Sequence, residues 1–260
     1  MIRSNEAPSA DAIDLEHLRF ANAVTLGQAV RRCNAHATHQ DEVAGRVVDY
    51  FYESFRDPLT GLHSCALVRC FQTHPFAGLP RETQEFALRL NPASASIEGL
   101  RCLALLASRG EEPEWNSVAD SVNHRAIPLP DAAMIEQAPM ISRLLEQMGL
   151  EARNIVEPHT LALMSESQYR NFGVFHVETA PGSEYLPSQQ TFIEQYGIRS
   201  VVGMGGLLPS GELFALILFA RVVISPEVAA LFRTIALSVK LAFLPFAANE
   251  VFAETTGKLL

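Results

Sequence analysis

Three histidines offer the first chemistry. His74 in THPF, His124 in NHRAIPLP and His176 in VFHVE each stand beside the end of an apolar run or in a connection, where sites collect. Brought together, three imidazoles would hold a metal ion, and one alone could serve a haem iron as axial ligand. No pair has the i, i+4 spacing of a helical metal site, and no Cys/His cluster has finger spacing. A thiol catalyst built from Cys70 and His74 meets a distance problem: in a continuous strand they share a face but lie ~13 Å apart at ~3.3 Å per residue, too far for proton transfer. Cys65 and Cys70, five apart, fall on opposite faces of a regular strand.

Arg69, in ALVRCF, raises a different prospect. It shares a strand face with Leu67 and Phe71, so it either runs its stem out to an edge or pairs with a buried anion, and the second option marks a pocket. Tyr185, in the PGSEYLPS loop, is placed to cover such a pocket. The candidate ligand-binding set is therefore Arg69, His74, His124, His176 and Tyr185, with no catalytic residues assigned. Glu111, Glu112 and Glu114 read as a solvated acidic turn, and Trp115, the one tryptophan, as a lid or packing residue. The G-x-S-x-G elbow of hydrolases is absent.

The glycines of GMGG (203–206) raise the question of a phosphate cradle. A dinucleotide fingerprint needs a third glycine opening a helix, but position 208 is Leu and a strand-like segment follows; a Walker loop needs Gly-Lys-Ser/Thr, which is missing. The segment reads better as a hairpin, IRSVVGMGG and ELFALILFARV joined by LLPSG. Its glycines then mark a bulge or a place where something approaches the backbone closely.

These residues must be positioned by a chain of 260 residues, 48% hydrophobic, with a net charge of -9. That is enough for one large domain or a medium domain with helical extensions, and the acidic balance speaks against a nucleic-acid surface. The polar, acidic start MIRSNEAPSADAIDLEH lacks the apolar core of a secretory signal, which predicts a cytoplasmic protein. Two apolar stretches, 213–224 and 235–246, are broken by Arg221 and Lys240 and fall short of the ~18 residues of a membrane span. Cys33, Cys65, Cys70 and Cys102 form no CxxC pair and are expected to be reduced core thiols.

Periodicity predicts amphipathic helices over 12–33 and 41–55, strands over 64–73 and 101–110, and a helix over 81–90 between them. HRAIPLPD is expected to be irregular because of its prolines. A segment helical in its second half (134–150), a strand near 173–178 and a short helix over 189–196 precede the hairpin. A long apolar helix runs from Ser225-Pro226, an N-cap followed by proline, to about Pro245. The order of helices, about five strands and a terminal helix gives an α+β class with an antiparallel sheet.

The segments RVVDYFYESFRDPLTG, CALVRCFQTHPF, HRAIPLP and YGIRSVVGMGGLLPSGELFALILFARV, followed by PEVAALFRTIALSVKLAF, resemble GAF-type sensory domains. The first four segments more specifically resemble the N-terminal input regions of bacterial sensor histidine kinases and related signalling proteins. The resemblance spans roughly residues 40–246, leaving a polar, helical extension over 1–39 and a tail over 247–260. It implies a sheet of five or six strands flanked by helices, with long terminal helices that pair in a homodimer. It also implies a small-molecule ligand and an output kinase or cyclase module, and it carries over no ligand residues. No kinase, cyclase or phosphodiesterase motif occurs in the chain, which fits an isolated input region or a stand-alone relative. Val24, Val47, Leu231 and Ile235 are the expected apolar helix surface for dimerisation. Alternatives are a haem or metal sensor using His74, His124 or His176, and a ligand-free dimerisation module.

Overall fold

The computed structural model describes residues 12–90, 97–121, 124–136, 138–156, 172–246 and 251–252. The expected N-terminal polar segment through residue 11, and all of the tail except 251–252, lie outside them. Two helices, α1 (Phe20–Arg32) and α2 (Gln40–Ser54), precede β1 (Cys65–Pro75), α3 (Arg81–Leu90), β2 (Arg101–Gly110) and β3 (Ala126–Leu129). Three short helices follow: α4 (Ala132–Glu136), α5 (Pro139–Met148) and α6 (Ala152–Val156). The chain then runs through β4 (Phe172–Val177), a wide π-helical turn (Gln189–Glu194), β5 (Ser200–Leu207), β6 (Leu213–Ala220) and α7 (Pro226–Phe243).

The six strands form one antiparallel sheet in the order β3-β2-β1-β6-β5-β4, so the class is α+β. β5 and β6 are buried along nearly their whole length, because helices or loops cover both faces and alternation disappears from their sequences. Leu208 N donates to Glu212 O and Gly211, at φ +92°, closes the hairpin.

One face is covered by α1, α2 and α7. Val43, Val47, Phe51 and Phe55 recur at helical spacing on α2 and meet Val68, Cys70 and Leu218 of the sheet together with Phe232, Ile235 and Phe243 of α7. Ser225 caps α7 by accepting from Val228 N, with Pro226 at the first helical position. α1 crosses α7 closely enough that a Cβ on Gly27 would lie 2.6 Å from Ser238 Oγ. Pro226–Phe246, 21 residues of mean hydropathy 1.6, is long and apolar enough to cross a membrane. Half of its most apolar stretch is buried inside the protein.

The terminal helices, of 13 and 18 residues, are of ordinary to moderate length, and α1 begins well after the predicted start at 12. Asp14 accounts for the late start: its carboxylate accepts from the backbone N–H groups of Glu16 and His17, which holds an Asx turn where a helix was expected. Ile13 instead bridges to Phe55. Prolines do not exclude β3 either. Pro128 pairs opposite Cys102 on the sheet's outermost strand, where a missing N–H costs no inner ladder bond.

Two irregularities re-aim the central strands. Register shifts at Ala66 against β6 and at Leu106 between β1 and β2 each insert one residue. The first brings Cys65 onto the same helix-covered face as Cys70, contrary to the regular-strand expectation. The glycines of β5, by contrast, sit in unbroken register and mark close approach only. A Cβ on Gly205 would strike Phe214 O and lie 3.0 Å from Leu144, and one on Gly206 would lie 2.9 Å from the Phe172 ring.

Candidate functional site

The other face of the sheet is closed incompletely. Leu67, Arg69 and Phe71 of β1, with Leu103, Ile217 and Phe219 from neighbouring strands, floor a cavity of about 510 Å³. Its walls come from the start of α5 (Pro139–Ile141), the loop carrying Glu114, Trp115, Asp120 and Ser121, and the segment Tyr185–Tyr196. The volume lies within the range of about 300–1,000 Å³ found for small-molecule sites.

Arg69 points into this cavity. Its Nε donates to Ser108 Oγ at 3.3 Å, and among the described residues no carboxylate forms an ion pair with it. Burial alone pulls its pKa down to about 10, the mark of a cation that has lost water and gained no counter-charge. Ser108 reaches it because the extra residue at Leu106 shifts the phase of β2; a regular strand would direct position 107 there. Ser121 Oγ, also on the cavity, is buried and finds no hydrogen-bond partner among the described residues.

One wall is aromatic. Trp115 meets Tyr196 edge-on with ring centroids 4.5 Å apart, and Phe192 makes T-shaped contacts with Trp115 at 5.6 Å and with Phe219 at 5.0 Å. The backbone beneath Phe192 is irregular. Ser188 holds a left-handed φ of 60°, and its carbonyl accepts from both Phe192 N and Ile193 N as the helical turn widens. A non-glycine residue at positive φ costs of order 1–3 kcal/mol, and here it fixes the turn that carries the wall. Glu111 pairs with Arg221, whose Nε donates to Tyr196 O, joining the Trp115 loop to that turn.

The five candidate residues part company. Arg69, His124 and Tyr185 line the cavity, the last two at its exposed rim. His124 is disfavoured as an imidazolium, first by loss of water around the ring and then by the Arg69 guanidinium. His74 lies on the opposite face of the sheet, its Nδ1 donating to Pro75 O at 2.9 Å and its ring edge against Phe252. His176 also faces the helices, and its Nε2 donates to Ile224 O at 2.7 Å, tying β4 to the segment before α7. It borders a separate depression along Val177–Tyr185, larger at about 590 Å³ but shallow and open. The three imidazoles therefore do not converge, and among the described residues no group of three or more His, Cys, Asp or Glu side chains could hold a metal.

All four cysteines are free and buried. Loss of water raises the Cys65, Cys70 and Cys102 thiols to about 12 and Cys33 to about 11, far from a reactive thiolate. Ser108, Ser121, Phe192, Tyr196 and Phe219 were not anticipated as site residues. The i, i+4 aromatic pair in TFIEQYG was a usable signal for Phe192 and Tyr196; Ser108 and Ser121 gave none.

No family model matches the chain, and no curated protein matches it at a significant level.

Proposed function

We propose that this chain is a cytoplasmic, GAF-like sensory domain of a bacterial signalling protein that binds a small molecule in the Arg69 cavity. It regulates rather than catalyses, and it passes occupancy through α1 and α7 of a homodimer to an output kinase or cyclase module. The observation that carries this reading is the cavity itself, large enough for a ligand and furnished with an arginine that no acidic side chain among the described residues neutralises. The antiparallel sheet, with helices on the face away from the cavity, supports a GAF-like arrangement. Phe20 (63% exposed) and Val24 on α1, with Leu237, Leu241 and Leu244 on or just beyond α7, supply the apolar surface for pairing. Val47 and Ile235, expected there, are fully buried in the core instead.

Native mass spectrometry of the purified protein, with an absorption spectrum, tests the reading directly. A bound mass, or a melting temperature raised by a metabolite fraction, should be present in the wild type and lost in Ile217→Trp, which fills the cavity floor. Identical behaviour of the two proteins would remove the cavity as the binding site. The homodimer should become a monomer in the double variant Leu237→Glu, Leu241→Glu; a dimer that persists would place the contact elsewhere.

A further inference from the structure

We propose that the cavity selects a small aromatic monocarboxylate, its carboxylate held by the free edge of the Arg69 guanidinium and its ring laid against the Trp115, Phe192, Tyr196 and Phe219 wall. This deepens the small-molecule reading above and rests on it.

The charge class follows from what surrounds Arg69. A guanidinium presents five N–H donors in a rigid fork; Ser108 accepts from Nε, and among the described residues no acceptor takes the two terminal nitrogens, which can meet a carboxylate side by side. A cation held in a pocket without a counter-ion is costly, and a bound anion removes that cost. Ser121 Oγ adds a buried hydroxyl on the same cavity with no partner among the described residues. The remaining lining limits the charge to one. Glu114 and Asp120 stand at the rim, and His124 is held toward its neutral form. A phosphate dianion would face one fixed cation and two carboxylates, a balance that a monoanion satisfies better.

The shape class follows from the wall. Phe192 meets Trp115, Tyr196 and Phe219 at 5.6, 5.8 and 5.0 Å, so the four rings interlock into one aromatic wall on the cavity, a surface suited to a flat unsaturated body. Aliphatic side chains, Leu67, Leu103, Ile127 and Ile217, floor the space beneath it. One end of the ligand thus meets charge and the rest meets apolar surface, the usual division in small-molecule sites.

The test is calorimetric titration of the full chain with benzoate, phenylacetate and 2-naphthoate, each beside its neutral amide, and with phenyl phosphate. Trp115, the only tryptophan, gives a second readout through its fluorescence with the two acids that do not absorb where it is excited. At least one acid should bind at least tenfold more tightly than its amide, and phenyl phosphate should bind no better than the acids. Arg69→Met should erase the preference of acid over amide without lowering the melting temperature. Ser108→Ala, a milder change that frees Nε to turn, should weaken the acid alone.

Equal binding of acid and amide, or a preference for phenyl phosphate, would overturn the monocarboxylate assignment and leave the cavity as a ligand site. So would failure of every acid to bind at millimolar concentration. Binding that survives the cavity-filling Ile217→Trp would overturn both the assignment and the site on which it rests.

Discussion

The two faces of the sheet are made by the same strands and solved in opposite ways. On the helix side, Phe51, Phe55, Phe232 and Phe243 are fully buried, and Arg109 of β2, partly exposed, faces Asp49 and Glu53 of α2. On the cavity side, three short helices and a strained turn leave a space of about 510 Å³ and an arginine that pairs with no acid among the described residues. β1 contributes to both faces in alternation, Val68 and Cys70 to one and Arg69 and Phe71 to the other. Close packing and open space are therefore separated across the thickness of one sheet, and stability should be lost unequally when each face is disturbed.

The largest contrast should appear in the aromatic side chains. Phe232→Ala opens a hole in a close-packed layer and should cost about 3–5 kcal/mol, whereas Phe219→Ala enlarges a space already present and should cost about 1–2 kcal/mol. Urea denaturation measures both, and equal losses would break the distinction between the faces. Next in size is a pair of arginines. Arg101 is 6% exposed and bonds Glu212, itself 12% exposed, at 3.1 Å, so Arg101→Met strands a buried carboxylate and should cost about 3 kcal/mol. The same change at Arg69 strands no acid among the described residues and should raise stability by about 1 kcal/mol while removing the proposed anion contact. A loss at Arg69 comparable to that at Arg101 would mean its charge is satisfied in the folded protein.

Glycines of β5 sharpen the comparison on a smaller scale. Gly205→Ala drives a Cβ into Phe214 O and against Leu144, and should cost about 2 kcal/mol. Gly203, whose added Cβ would find Phe175 and Ile217 at 3.6 and 3.7 Å, should accept Ala with a change of about 0.5 kcal/mol or less. The smallest effect is a pH dependence on the helix side. Burial holds the His74 imidazole below its ordinary pKa of about 6.5, only partly opposed by its bond to Pro75 O. The unfolded chain then takes up a proton that the folded chain resists, so stability should fall as pH drops from about 6.5 towards the lowered folded value and be flat in this respect above it. His74→Gln should remove that share of the acid sensitivity in melts collected between pH 7 and pH 5.

Much of the scaffold was legible because its strands are apolar runs bounded by turns and its helices carry stripes at i, i+4 spacing. β1, β2 and the β5–β6 hairpin follow this rule, as do α2, α3 and α7. The misses have local physical causes. Asp14 diverts backbone N–H groups from a helix, and Pro128 is admitted to a strand only because that strand is an edge, a fact of topology rather than of composition. For the site, strand alternation placed Arg69 on a face with Leu67 and Phe71 correctly. Alternation cannot anticipate inserted residues, so the Arg69–Ser108 contact and the shared face of Cys65 and Cys70 were hidden. The histidines misdirected for a related reason: nearness to a strand end does not say which side of the sheet a ring will occupy.

The inserted residue at Leu106 gives β2 slack at one point along its length. Deleting Leu106 would leave Ala107 opposite Cys70 and Ser108 opposite Arg69, so the strand would become regular while each later side chain kept its face. Arg109 would remain opposite Val68, against Asp49 and Glu53, and the cavity would keep Arg69 above its floor of Leu67, Phe71 and Leu103. In this fold a codon can be lost from a central strand at that point without changing which side chains the cavity meets.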